Sequence, residues 1–80
     1  MISIVDYGVG NLFSLSSSLK SIGADTIVTS DKQKILDSSA IILPGVGAFS
    51  DAKQKLQESG LFQVVIDEAQ KGKKLLGICL

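Results

Sequence analysis

The sequence predicts an α/β fold in which helices cover a parallel β-sheet. Apolar, β-branched runs typical of strands alternate with segments in which apolar residues recur every three or four positions, as on one face of a helix. Glycines stand at most of the boundaries between these segments. Strands that alternate with helices pair in parallel through right-handed crossovers. We therefore expect a flavodoxin-like, doubly wound sheet with its strands in the order 2-1-3-4.

The first half of the chain contains two predicted strands and at least one helix. Asn11 is a favourable N-cap residue, and the apolar positions after it keep helical spacing as far as Ile22. Gly23 then ends the helix, because glycine readily adopts the positive φ of a helix terminus. The predicted elements are a strand over Ile2–Tyr7, a helix from Asn11 to Gly23, a strand within Asp25–Thr29, and a short helix or loop around Ile35–Leu36.

The second half contains a continuous apolar strand, two helices and a final strand. The predicted elements are a strand over Ala40–Leu43, helices over Phe49–Ser59 and Leu61–Ala69, and a strand over Lys74–Cys79. A continuous apolar run suits a strand that is buried on both faces. Leu80 follows such a strand with no helix to cover it, so we expect residues 1–80 to be the N-terminal part of one larger domain.

The composition excludes several classes of function. Eight lysines balance eight acidic residues, so nothing favours nucleic acid or an anionic membrane as a partner. Lys71, Lys73 and Lys74 follow a predicted helix, where lysines complement the helix dipole. A single cysteine excludes an internal disulfide and fits a reducing compartment. With no signal sequence and no apolar run of about 18 residues, we expect a soluble, cytoplasmic protein.

Three turns follow strands that the expected topology makes neighbours. They begin at Gly8, at Pro44 and at Cys79, and ligands of open α/β sheets bind at this carboxyl edge. Gly8 and Gly10 do not complete a dinucleotide-binding fingerprint, because Phe13 stands where the third glycine is required. A tight turn that leads into a helix explains these glycines.

The turn Pro44-Gly45-Val46-Gly47 directly follows a buried strand. Glycines let successive backbone N–H groups face a ligand, where they can stabilise an oxyanion. Taken alone, such a segment is more often a plain turn.

Cys79 is the candidate nucleophile. A cysteine on an apolar strand is more often an inert core residue. Two features favour a reactive thiol here: Cys79 ends the strand, and Gly77 stands two residues before it, as in the G-x-S-x-G nucleophile turn. A helix beginning just beyond would favour the thiolate.

Taken together, three segments resemble the glutaminase subunits of imidazole glycerol phosphate synthases, which are class I glutamine amidotransferases. The segments are residues 6–11 (Asp-Tyr-Gly-Val-Gly-Asn), 42–49 (Ile-Leu-Pro-Gly-Val-Gly-Ala-Phe) and 76–80 (Leu-Gly-Ile-Cys-Leu). The central motif separates this family from its neighbours, since anthranilate synthases favour Pro-Gly-Pro there and pyridoxal phosphate synthase glutaminases favour Pro-Gly-Gly-Glu-Ser. The resemblance runs in register over the whole chain.

The resemblance implies a mechanism and a partner. The Cys79 thiolate would attack the carboxamide of glutamine, and backbone N–H groups of the turn Gly45, Val46 and Gly47 and of Leu80 would hold the oxyanion. Ammonia would pass to a (β/α)₈ barrel cyclase subunit in a heterodimer, with no metal or organic cofactor. Asn11 would lie near the cyclase interface, unless it serves only as an N-cap. The family also needs a His and a Glu, and these 80 residues contain no His, so we expect this chain alone to be inactive.

Other classes of protein stay open at this point. The chain could belong to another class I amidotransferase, to a non-enzymatic flavodoxin-like binding module, or to a Cys-dependent hydrolase or chaperone of the same fold. A binding module would need an acidic pair or a phosphate loop after the first strand, and Asp6 is single. Gly-Met-Gln directly after Leu80 would support the amidotransferase, whereas a His there would support the hydrolase or chaperone.

Overall fold

The computed structural model describes residues 1–8, 11–45 and 50–78 of the chain. In these residues four strands alternate with four helices, which confirms the predicted α/β class. The elements are β1 (Ile2–Val5), α1 (Leu12–Ser21), β2 (Thr26–Thr29), α2 (Lys32–Asp37), β3 (Ala40–Pro44), α3 (Ser50–Glu58), α4 (Leu61–Gln70) and β4 (Lys74–Ile78). The uncertain segment around Ile35 is a helix, capped by the Asp31 side chain, which accepts from the Gln33 N–H at 2.9 Å.

The four strands form one all-parallel sheet in the predicted order β2-β1-β3-β4. Ile2 of β1 pairs with Thr26 on one side and with Ala40 on the other, and Ala40 pairs in turn with Lys74. The two central strands, β1 and β3, are therefore the most apolar and the most buried, as continuous apolar runs require.

Helices α2, α3 and α4 cover one face of this sheet, here called the packed face. Alternate side chains of β1 and β3 meet the apolar sides of the three helices there, because successive strand residues point to opposite faces. The buried cluster on this face consists of Val5, Tyr7, Ile35, Ile41, Leu43, Leu56, Leu61 and Val65. The doubly wound arrangement places α1 on the opposite face.

Among the helices of residues 1–8, 11–45 and 50–78, only α1 covers the opposite face, here called the open face. No side chain of α1 is fully buried, although its leucines face the sheet. Beside α1 a shallow apolar depression of about 260 Å³ lies over β3 and β4, with Leu19 and Leu76 among its lining residues. Leu76 remains 56% exposed. On this face Ile4 and Ile42 of the central strands are buried, and the exposure is concentrated at β4.

A buried ion pair lies at the amino edge of the sheet, on the packed side. Lys73 Nζ is 2.7 Å from Glu68 Oε1 and also donates to the carbonyl oxygens of Ile35 and Leu36, at 3.1 and 2.7 Å. Lys73 therefore neutralises the C-terminus of α2, whereas the sequence predicted that the lysines would complement the helix they follow, α4. The turn at Gly72 redirects the chain toward α2, which sequence spacing cannot reveal. The hydrogen bond from Lys73 holds the pKa of Glu68 below its usual value.

Some element ends differ from their predicted positions, and others cannot be compared with the structure. β1 ends at Val5 rather than at Tyr7. Asp6 still donates its N–H to the Thr29 carbonyl at 2.9 Å, but β1 and β3 are paired only as far as Ile4 and Ile42. The predicted start of the helix at Phe49 and the predicted end of the last strand at Cys79 lie outside the described residues. Among the helices of the described ranges, none is long and apolar enough to cross a membrane.

Candidate active site

The carboxyl ends of three adjacent strands form the candidate site. Because β3 lies between β1 and β4, the segments that follow these strands leave the sheet side by side. Pro44 pairs with Ile78, and these residues immediately precede Gly45 and Cys79 in the sequence. The predicted convergence of the three strand ends is thus confirmed for the described residues.

The end of β3 is a buried turn whose backbone needs glycine. Gly45 is buried and has a φ of +74°, a left-handed conformation that L side chains rarely adopt. Pro44 directly before it has no N–H to donate. Val46 and Gly47, the other predicted members of the oxyanion turn, lie outside the described residues. Their role as donors stays a prediction.

Tyr7 joins the end of β1 to the end of β3. Its side chain is buried in the cluster of the packed face, and its hydroxyl donates a hydrogen bond to the carbonyl oxygen of Pro44. Burial raises the pKa of the Tyr7 phenol above its ordinary value of 10.0, so the hydroxyl stays protonated and remains a donor at neutral pH. The sequence predicted Tyr7 only as the last residue of the first strand. The alternation of Ser3, Val5 and Tyr7 was the signal that it faces the core.

The segment after β1 is held by two short-range hydrogen bonds. Asp6 Oδ1 accepts from the Gly8 N–H at 3.4 Å, and Gly8 has a φ of +88°. Asn11 Oδ1 accepts from the Ser14 N–H at 3.1 Å, which confirms that Asn11 is the N-cap of α1. Asn11 is exposed, and its predicted place at a cyclase interface stays a prediction.

The predicted nucleophile Cys79 and the predicted donor Leu80 lie outside the described residues. The structure describes the strand that leads to them, with Gly77 opposite Leu43. Within the described ranges, no group of three or more His, Cys, Asp or Glu side chains could hold a metal ion. The depression beside α1 is lined by apolar side chains apart from Lys74 and is therefore no alternative catalytic site.

Comparison with known proteins identifies which group of sequences this chain resembles. Over all 80 residues it is 55% identical to the imidazole glycerol phosphate synthase subunit HisH of Bacillus cereus and 52% identical to that of Bacillus thuringiensis. The resemblance to HisH is confirmed along the whole chain. In both cases the match covers 38% of the HisH relative. No protein-family model matches the chain.

The match to HisH includes all three segments at the carboxyl edge. Because it extends over the whole chain, residues 6–11, 42–49 and 76–80 are all inside the matched region. A likeness carried by a single short motif would not cover the helices on the packed face as well. The matched region therefore contains the sequences of the strands that lead to the site and of the helices that pack against them.

Proposed function

We propose that this chain is the part of a glutamine amidotransferase subunit that carries the nucleophile, and that the subunit belongs to an imidazole glycerol phosphate synthase of histidine biosynthesis. The observation that carries the proposal is the 55% identity to HisH over the whole chain. The strand arrangement supports it, because β3, which leads to the oxyanion turn, is paired with β4, which leads to Cys79. A biosynthetic role and a single cysteine fit a cytoplasmic protein.

The proposed reaction is hydrolysis of glutamine through a thioester. The Cys79 thiolate attacks the side-chain carboxamide carbon, and the tetrahedral intermediate carries its negative charge on the former carbonyl oxygen. The C–N bond then breaks, and ammonia leaves as its nitrogen takes up a proton. Water attacks the thioester, which releases glutamate and regenerates the thiol. The reaction requires no metal and no organic cofactor.

The turn after β3 contributes to the proposed reaction by stabilising the oxyanion. Backbone N–H groups of Val46 and Leu80 are the proposed donors, and Gly45 and Gly47 give the turn its freedom of conformation. Loss of one such donor typically lowers kcat by about 10²–10³-fold. The left-handed φ of Gly45 supports this assignment, because a turn of that conformation does not continue the strand ladder.

Two components of the reaction must come from outside these residues. The chain has no His, so the base that takes the thiol proton and later protonates ammonia is not among its 80 residues. We propose that a cyclase subunit with a (β/α)₈ barrel receives the ammonia and forms a heterodimer with this subunit. Asn11 is the residue of this chain that we propose contacts the cyclase subunit.

Active-site labelling of the full encoded protein tests the nucleophile. We expect a chloroketone analogue of glutamine to abolish glutamate release and to modify Cys79, as mapped by mass spectrometry of the peptides. Glutamine should protect against the label, since the two compete for one site. The Cys79→Ser variant, whose side chain is nearly the same size, should bind glutamine without turnover or labelling. Inactivation with the label on any other residue would contradict the proposal.

A further inference from the structure

The hydrogen bond from Tyr7 to Pro44 links two segments that the strand ladder leaves apart. β1 and β3 pair from Ile2 with Ala40 to Ile4 with Ile42. Extending this register by two residues would bring Asp6 level with Pro44, but the pairing of β1 with β3 ends before that point. The Asp6 N–H donates to Thr29 and so continues the ladder on the β2 side. Beyond the paired residues, the Tyr7 hydroxyl supplies the link between the ends of β1 and β3.

The buried ring of Tyr7 makes this link rigid. Tyr7 is 6% exposed and belongs to the cluster formed with α2, α3 and α4. Packing fixes the direction of the ring, so the hydroxyl position is set by the core rather than by solvent. The Pro44 carbonyl accepts this hydrogen bond one residue before Gly45, at which the backbone turns.

We infer that Tyr7 is a positioning residue for the oxyanion turn: its hydroxyl holds the Pro44–Gly45 peptide unit, from which Val46 and Gly47 continue. The inference rests on the proposed function, because the turn matters for catalysis only if a charged tetrahedral intermediate forms beside it. Tyr7 touches neither substrate nor nucleophile in this role. It transmits the rigidity of the packed face to the backbone that carries the donors. Burial keeps the phenol protonated, so the link should persist at working pH.

The Tyr7→Phe variant tests the role, because it removes only the hydroxyl and keeps the ring in the core. We expect kcat for glutamate release to fall about tenfold, less than the loss of a whole oxyanion donor. We expect KM for glutamine to change less than about twofold, since these donors act on the transition state rather than on bound substrate. The assay uses the full encoded protein with its cyclase subunit.

Ile35→Val is the matched control. Ile35 is fully buried in the same cluster, so its truncation also disturbs the packed face but removes no hydrogen bond to Pro44. We expect a similar modest fall in thermal stability with kcat unchanged. An equal fall in kcat in both variants would show that Tyr7 acts only through packing, and would overturn the inference.

A spectroscopic measurement separates this inference from the proposed function. Protein labelled with ¹³C at the proline carbonyl and ¹⁵N at glycine gives a signal only from Pro-Gly units such as Pro44–Gly45. The carbonyl shift should move in Tyr7→Phe and stay in place in Ile35→Val. An unmoved shift, or a moved shift with full kcat, would overturn the inference. No glutaminase activity in the unmodified protein would refute the proposed function, while a moved shift would still support the Tyr7 hydrogen bond.

Discussion

The two faces of the sheet show how unevenly one small fold can distribute its core. On the packed face, three helices cover β1 and β3, and side chains such as Ile35 and Leu61 are almost completely excluded from solvent. On the open face, α1 lies mainly against β2, and Leu76 of β4 is half exposed. Ile4 and Ile42 are nevertheless buried on the open face, so the difference is greatest at β4. The packed face holds the larger buried cluster, which includes Tyr7 beside the candidate site.

The topology explains this difference. The crossover from β1 to β2 runs toward one side of the sheet, whereas the crossovers from β2 to β3 and from β3 to β4 run toward the other. Right-handed connections place helices on opposite faces when their directions are opposite. One crossover therefore covers the open face, and two crossovers with three helices cover the packed face. Within the described residues, β4 lies farthest from α1 in the sheet, and its open-face residue Leu76 is left half exposed, whereas Ile42 of β3 is buried.

The largest difference between the faces should appear when one leucine is truncated on each. Leu61→Ala removes a side chain that is 1% exposed in the packed cluster, and we expect it to lower the free energy of unfolding by about 2–5 kcal/mol. Leu76→Ala, on the open face, should change it by less than about 1 kcal/mol. Urea unfolding of both variants, followed by circular dichroism, measures the difference. Equal losses would show that the open face is as well packed as the other.

A smaller effect is expected from the ion pair at the amino edge of the packed face. Lys73→Met leaves the buried Glu68 carboxylate and the two carbonyl oxygens at the end of α2 without this partner, which should lower the thermal midpoint. Lys71→Met is the matched control. Lys71 also pairs with Glu68, at 3.3 Å, but its side chain is 73% exposed, so its loss should barely change the midpoint. Equal shifts would contradict a special role for Lys73.

The same ion pair predicts a pH dependence with a definite sign. The pKa of Glu68 is lowered from 4.5 in the folded chain, so the unfolded chain binds the proton more tightly. The pair should therefore contribute fully above about pH 4.5, and its contribution should be lost as the pH falls through the lowered pKa. The thermal midpoint of Lys73→Met should consequently fall less on acidification than that of the unmodified chain.

The smallest effect should come from the cap of the open-face helix. Because α1 buries no side chain fully, its N-cap matters more than it would on the packed face. Asn11→Ala should lower the free energy of unfolding by about 1 kcal/mol. Asn11→Asp keeps an acceptor for the Ser14 N–H and should change this free energy little. Urea unfolding measures both. If Asn11→Asp also weakens binding to the cyclase subunit, Asn11 has the additional interface role proposed for it.

Most of the fold was predictable because periodicity and glycine positions report local structure and, through the crossover rule, strand order. Alternation predicted parallel pairing, and the choice of the flavodoxin-like class then predicted the order β2-β1-β3-β4, which is the order observed. The N-cap at Asn11 was equally predictable from the sequence, because capping is a local interaction. Topology predicted that the ends of β3 and β4 lie side by side, and the pairing of Pro44 with Ile78 confirms it.

What could not be predicted depends on contacts between distant residues. Lys73 reaches the end of α2, which is 37 and 38 residues away in the sequence, and no local pattern encodes that distance. Tyr7 donates to a carbonyl 37 residues away, so the sequence showed a strand that continued to Tyr7 and not the hydrogen bond that replaces the ladder. Both interactions depend on how helices and strands pack in three dimensions.

The all-parallel register also has a consequence for synthesis on the ribosome. β1 is made first, but its partners for Ile2 are Thr26 and Ala40, so 38 further residues are needed before both neighbours exist. At about 5–20 residues per second, that interval lasts about 2–8 s. Both edges of β1 are unpaired until β2 follows, and one edge stays unpaired until β3 follows, because parallel strands are not joined by a local hairpin. β1 therefore waits longer for its two partners than either strand of a hairpin would.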